Sequence, residues 1–87
     1  MYFVYALYSA EFDRLYVGQT TSLAHRVKAH NAGKVTSTKA FLPWEVVYWE
    51  RCQSRSQALK REKQLKSHRG RDFIRGLVSG RVRRLPD

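Results

Sequence analysis

Apolar and polar positions along this 87-residue chain change their period several times, and each change marks a boundary. Residues 2–8, YFVYALY, are apolar or aromatic throughout and predict a strand that is central or covered on both sides. Alternation puts Tyr2, Val4, Ala6 and Tyr8 on one face and Phe3, Tyr5 and Leu7 on the other. A connection of hairpin length follows, without the Asn-Gly pair of a two-residue turn. Residues 14–18 then supply a second strand, antiparallel to the first. That pairing brings Tyr5 and Tyr16 into one neighbourhood.

Beyond Ser22, a good N-cap, the period lengthens to that of a helix. Leu23, Val27 and His30 form its apolar stripe, with Arg26 at the border. Asn31-Ala32-Gly33 ends it. Residues 34–42 read as a loop whose hydroxyls are free to meet a phosphate or cap a turn, and Pro43 closes it. Residues 44–52, WEVVYWERC, predict a third strand with Val46, Tyr48 and Glu50 on one face.

A second helix starts at Ser54, where Gln57 completes a capping-box pattern, and runs to about Lys66. Its apolar side carries Ala58, Leu59 and Leu65, and Glu62 falls within that stripe. A carboxylate so placed needs a cation, a metal or a proton, because burying it bare is expensive. Lys60, Arg61, Lys63 and Lys66 are expected to face elsewhere. Phe73, Ile74, Leu77 and Val78 predict a short docked helix over residues 72–78, weakened by Gly70, Gly76 and Gly80 at about 1 kcal/mol each. The elements run β-β-α-β-α-α, an α/β fold of the α+β type. One domain over residues 1–79 is expected, with a basic tail over 80–87.

Charge narrows the partner. The formal net charge is +10, and twelve Lys or Arg against two acids lie between Arg51 and Arg84. That one-sided excess is the footprint of a nucleic-acid binder, with Lys28, Lys34, Lys39, Lys60, Arg61, Lys63, Lys66, Arg69 and Arg71 as candidate phosphate contacts. An anionic membrane surface is a weaker fit, since the basic tail has no long apolar face. The longest apolar run, residues 2–8, is far short of the roughly 20 needed to span a bilayer. The single cysteine, Cys52, excludes an internal disulfide and reads as a buried structural thiol. A soluble cytoplasmic protein, monomeric or weakly dimeric, is expected.

Tyr5, Tyr16, Arg26, His30 and Glu62 are the candidate chemistry. Phosphodiester hydrolysis needs a base or orienter for water, a cation for the charge on phosphorus and usually a divalent metal. Arginine suits the second task through its planar fork of donors. A carboxylate can hold Mg²⁺ with most of its waters, and histidine is an easier base near neutrality than tyrosine. Taken singly, each residue also has a plain structural reading. Tyrosines fill strands, His30 ends an apolar stripe, and Arg26 could pair with Glu62.

As an ordered set these residues resemble the GIY-YIG nuclease family, above all its small single-domain bacterial members. Phe3-Val4-Tyr5 corresponds to the first signature and Tyr16-Val17-Gly18 to the second, followed by Arg26, His30 and Glu62. The resemblance spans residue 2 to about residue 68. It implies a three-stranded antiparallel sheet flanked by helices, with both tyrosines, Arg26 and Glu62 around one divalent metal. By analogy Glu62 would ligate Mg²⁺ (or Mn²⁺), and Arg26 would stabilise the transition state. Tyr5 or Tyr16 would orient or deprotonate water, with His30 in support.

Phe3 stands where the first signature has glycine, Gln19-Thr20-Thr21 where many members have lysine, and no asparagine follows Asn31. The leading expectation is a metal-dependent endonuclease acting on DNA, branched or single-stranded forms included and RNA not excluded, in repair, recombination or defence against foreign DNA. The alternative is a nucleic-acid-binding module that kept the fold and lost the chemistry.

Overall fold

The computed structural model describes the backbone of residues 1–84 and the side chains of residues 1–79. Three strands form one antiparallel sheet in the order β2-β1-β3: β1 is Tyr2–Ser9, β2 Arg14–Thr20 and β3 Glu45–Cys52. Helix α1, Leu23–Asn31, lies between β2 and β3 in sequence; α2, Arg55–Lys66, and α3, His68–Arg84, follow β3. The expected order and fold class are both found.

The fully apolar β1 is the central strand, as its two-sided pattern requires. On one face Val4 and Ala6 pack with Val17, Cys52, Ala58, Leu65 and Ile74 beneath α2 and α3. On the other, Tyr5 and Leu7 pack with Trp44, Tyr16, Leu23 and Val27 beneath α1 and the segment that precedes β3. The sheet is thus the middle layer of three. The β1–β2 hairpin closes without Asn-Gly because Asp13 takes the left-handed conformation, φ 52°. Asp13 Oδ1 also accepts from the Tyr8 hydroxyl at 3.0 Å and from Arg75 at 2.8 Å, which ties α3 to the hairpin.

Three local expectations change. Val46 and Tyr48 do not share a face: Leu7 pairs with Val46 and Ala6 with Tyr48, so a bulge at Val47 reverses the alternation. Ser22 occupies the α1 N-cap in extended backbone, but its hydroxyl makes no capping bond; the Thr20 hydroxyl instead accepts from the Ser22 N–H at 3.1 Å. At α2 the expected device is present, with the Ser54 hydroxyl accepting from Gln57 N at 3.1 Å.

The third change concerns α3, which begins at His68 and not near Asp72. Gly70 is tolerated because α3 crosses α2 there: a Cβ at Gly70 would lie 2.4 Å from Gln64 O and from Leu65 Cα. Close approach of two backbones outweighs the helix cost of a glycine. Helical backbone continues to Arg84, into the stretch expected as a tail; residues 85–87 and the side chains from 80 onward lie outside the described residues. Among the described residues no helix is long and apolar enough to cross a membrane.

Candidate active site

The site grows from one contact. Tyr5 on β1 pairs with Gly18 on β2, and the Tyr5 ring lies across that glycine. A Cβ at Gly18 would come within 2.7 Å of the Tyr5 hydroxyl oxygen, 2.9 Å of its Cζ and 3.0 Å of Tyr16 Cε1. Only a glycine leaves room for both phenols, which explains its place directly after Tyr16-Val17. The Tyr5 and Tyr16 rings sit 6.3 Å apart, as the hairpin pairing predicted.

Helix α1 brings His30 down onto this pair. Its imidazole is fully buried, 5.8 Å from the Tyr5 ring and 4.9 Å from the Tyr16 ring, centre to centre. His30 Nε2 lies 2.9 Å from the Tyr5 hydroxyl and Nδ1 lies 2.8 Å from the Thr38 hydroxyl, which itself reaches Val35 O at 3.4 Å. With Val35 O taking the Thr38 proton, the consistent arrangement is Nδ1–H donating to Thr38 and Nε2 accepting from Tyr5. His30 is then neutral. Burial, and next the charge of Arg26, lower its pKa from the usual histidine value and hold it so.

Thr38 carries a structural part that the sequence did not disclose. It falls in the stretch read as a free hydroxyl loop, yet it is buried and fixes the imidazole. Asn31 and Trp44 hold that stretch in place. Trp44 N donates to Asn31 Oδ1 at 2.7 Å, Asn31 Nδ2 to Trp44 O at 3.0 Å, and Trp44 Nε1 to Thr38 O at 2.9 Å. The one available signal was the pairing of a polar residue just past His30 with a tryptophan at the end of the loop.

Arg26, one turn before His30, adjoins the phenols. Burial pushes the Tyr5 pKa up to about 12, against the pull of Arg26, and the Glu62 carboxylate adds a smaller rise. Hydrogen bonding to Tyr5 in turn lifts the Arg26 pKa further above its ordinary value. Tyr5, Tyr16, Arg26 and His30 therefore converge, and Glu62, from a helix more than 30 positions beyond His30, is near enough to act on the Tyr5 phenol through its charge.

Glu62 is held differently from the expectation. Its side chain is 18% exposed and pairs with Lys66, Nζ to Oε2 at 2.7 Å, so Lys66 does not face elsewhere. Among the described residues no ion pair joins Arg26 to Glu62; the guanidinium meets the phenols instead. Arg61 is likewise engaged: its Nε reaches Glu50 Oε1 at 3.0 Å and Oε2 at 2.9 Å, locking α2 to β3. Lys28, Lys34, Lys39, Lys60, Lys63, Arg69 and Arg71 are exposed. Cys52 is buried, and burial raises its thiol pKa.

A divalent ion here would rest on very few protein donors. No cluster of three His, Cys, Asp or Glu exists among the described residues, so the protein offers one carboxylate, Glu62, with water and substrate oxygens completing the shell. The Lys66 ammonium sits on Oε2, so a metal taking both carboxylate oxygens would displace it.

Comparison with known proteins gives the family. Residues 1–75 match the GIY-YIG catalytic domain. The chain is 40% identical over 67 residues to a UPF0213 protein of Natronomonas pharaonis, covering 76% of this chain and 78% of that one. It is 37% identical over 84 residues to a UPF0213 protein of Desulfotalea psychrophila, covering 91% and 76%. The solution NMR structure of a UPF0213 protein from Bacillus halodurans superposes with a TM-score of 0.52 at 28% identity, covering 88% and 85%. The chain belongs to the GIY-YIG family, a nuclease superfamily whose members generally depend on a divalent metal.

Proposed function

We propose that this protein is a divalent-metal-dependent endonuclease that hydrolyses phosphodiester bonds in DNA, with Mg²⁺ or Mn²⁺ as its metal. The observation that carries the reading is the Tyr5 hydroxyl, set between the Arg26 guanidinium and a neutral His30 Nε2.

Tyr5 is a poor independent base, since at a pKa near 12 almost none of it is phenolate at neutral pH. As a relay it has no such handicap. Its oxygen takes a proton from the attacking water while its own proton passes to His30 Nε2, so no phenolate accumulates. Thr38 holds the imidazole in the accepting tautomer. Arg26 binds two non-bridging oxygens of the phosphate and meets the charge that develops there. Tyr16, packed edge-on against His30, limits where water can approach. Glu62 would hold the metal, which when bound supplies Lewis-acid stabilisation of the leaving oxygen.

The test is purified protein with Mg²⁺ or Mn²⁺ on single-stranded, duplex and branched DNA. Cleavage abolished in Glu62→Ala supports the reading; no cleavage above that control on any substrate removes it. A binding module without catalysis draws support from the Lys66–Glu62 ion pair, which competes with a metal for the carboxylate. It predicts metal-independent, strongly salt-dependent binding unaltered in Glu62→Ala. Repair, recombination or defence against foreign DNA are the settings such an activity would serve.

A further inference from the structure

Two of the larger apolar side chains serve neither core. Phe3 on β1 and Trp49 on β3 belong to neither packed cluster, and Trp49 is 51% exposed. Trp49 differs sharply from Trp44, which is 5% exposed and gives its indole N–H to Thr38 O. The two rings meet edge to face at 6.0 Å and 63°, so Phe3 braces the indole while about half of Trp49 stays exposed to solvent.

Register places this pair beside the site. Trp49 is the β3 partner of Tyr5, while Gly18 is the β2 partner of the same residue. Opposite residues share a face. Trp49 therefore lies on the Tyr5 face, two strand spacings or about 10 Å across the sheet from Gly18. Arg51, two residues on along β3, pairs with Phe3 on that same face and is exposed. One exposed aromatic on an edge strand needs no explanation. An open indole, a supporting ring and a free guanidinium in one row, level with a phosphate-binding centre, do.

We propose that Trp49, supported by Phe3, is a stacking platform for an unpaired base of the nucleic-acid substrate, with Arg51 on the neighbouring phosphate. The direction of the strand across the face rests on the nuclease reading; the stacking itself does not. A base has a π-face of any sequence to offer, and the chain's +10 charge attracts its backbone. Bases inside a duplex are already stacked and cannot lie on an indole. The platform thus selects single-stranded segments: loops, flaps or splayed ends.

Tryptophan emission reads this directly. The titrant is a 12-nucleotide oligothymidylate in EDTA, so that no strand is cut. Wild-type emission should be quenched on binding. In Trp49→Ala the emission of Trp44 persists, the quench disappears, and affinity falls by about fivefold to a hundredfold. Trp49→Phe should keep most of the affinity, which separates stacking from a folding defect, and Arg51→Ala should lower the slope of log K against log salt by about one phosphate.

Equal affinity of wild type and Trp49→Ala for the strand would overturn the platform. So would an equal loss on blunt duplex, which means a groove contact. So would a self-association by sedimentation that Trp49→Ala abolishes with strand binding intact, which means a surface for a second copy. Loss of cleavage in Glu62→Ala is a separate outcome. Either result can fail while the other stands.

Discussion

The two faces of one strand do different work. Val4 and Ala6 point into a layer whose fully buried side chains are apolar, closed by Ala58, Leu65 and Ile74, with Glu50 and Arg61 paired at its rim. Tyr5, between them, points into a layer where His30 and Thr38 are buried polar residues linked in a chain of hydrogen bonds. The first face gains its stability chiefly from apolar burial, and volume is what matters at its centre. The second gives up some of that gain to hold that chain of hydrogen bonds in one geometry, because a buried polar group left unpaired is costly. If the proposed function holds, stability and chemistry are separated by the two-residue period of a single strand.

That separation makes a graded set of expectations. Arg26→Ala should cost the most, a fall of about a thousandfold in single-turnover cleavage, the scale on which one preorganised donor acts. Its unfolding midpoint should stay close to wild type, since Arg26 belongs to neither buried cluster. A variant that unfolds instead would mean the two faces are not separable.

Ile74→Ala should do the reverse. Ile74 is fully buried, and its truncation should cost about 2–5 kcal/mol in urea unfolding while the folded fraction cleaves normally. Impaired cleavage by fully folded protein would show that the apolar face also tunes the site.

Gly18→Ala tests the seam. The added methyl meets Tyr5 Oη at 2.7 Å, so the phenol must shift. A loss of about 1–3 kcal/mol in stability is expected from overpacking, with cleavage reduced more than the folded fraction. Unchanged kinetics would show that the position of Tyr5 is not critical.

The smallest effect concerns pH. The His30 pKa is lowered in the fold, so its neutral form adds stability that is present above the unfolded value, near 6.5. That stability is lost as pH falls below 6.5 toward the folded pKa. Cleavage at fixed DNA affinity should stay level down to about pH 6.5 and decline only below it. A profile that already rises with pH through the ordinary histidine range would mean that His30 is not the final acceptor.

Much of this was legible in the residues. Unbroken apolarity over residues 2–8 announced a central strand, and the position of Glu62 announced a carboxylate in need of a cation. Both are matters of local period. The partner of Glu62 was not legible: Lys66 was expected to face away, yet a long flexible side chain one turn on reaches back to it at 2.7 Å. Nor was the parity of β3, because a bulge leaves no dependable mark in composition.

What the sequence determined by itself, then, is the order of elements and which side chains alternate inward, since period and capping act over a few residues. Tertiary structure alone decided that Thr38 would orient His30, and that Tyr5 would lie across Gly18. It also decided that Trp49 would stand open beside them. Those contacts depend on the register between strands and on how a helix docks over them. Such distances are set by packing across the whole domain, and no window of neighbouring residues contains them.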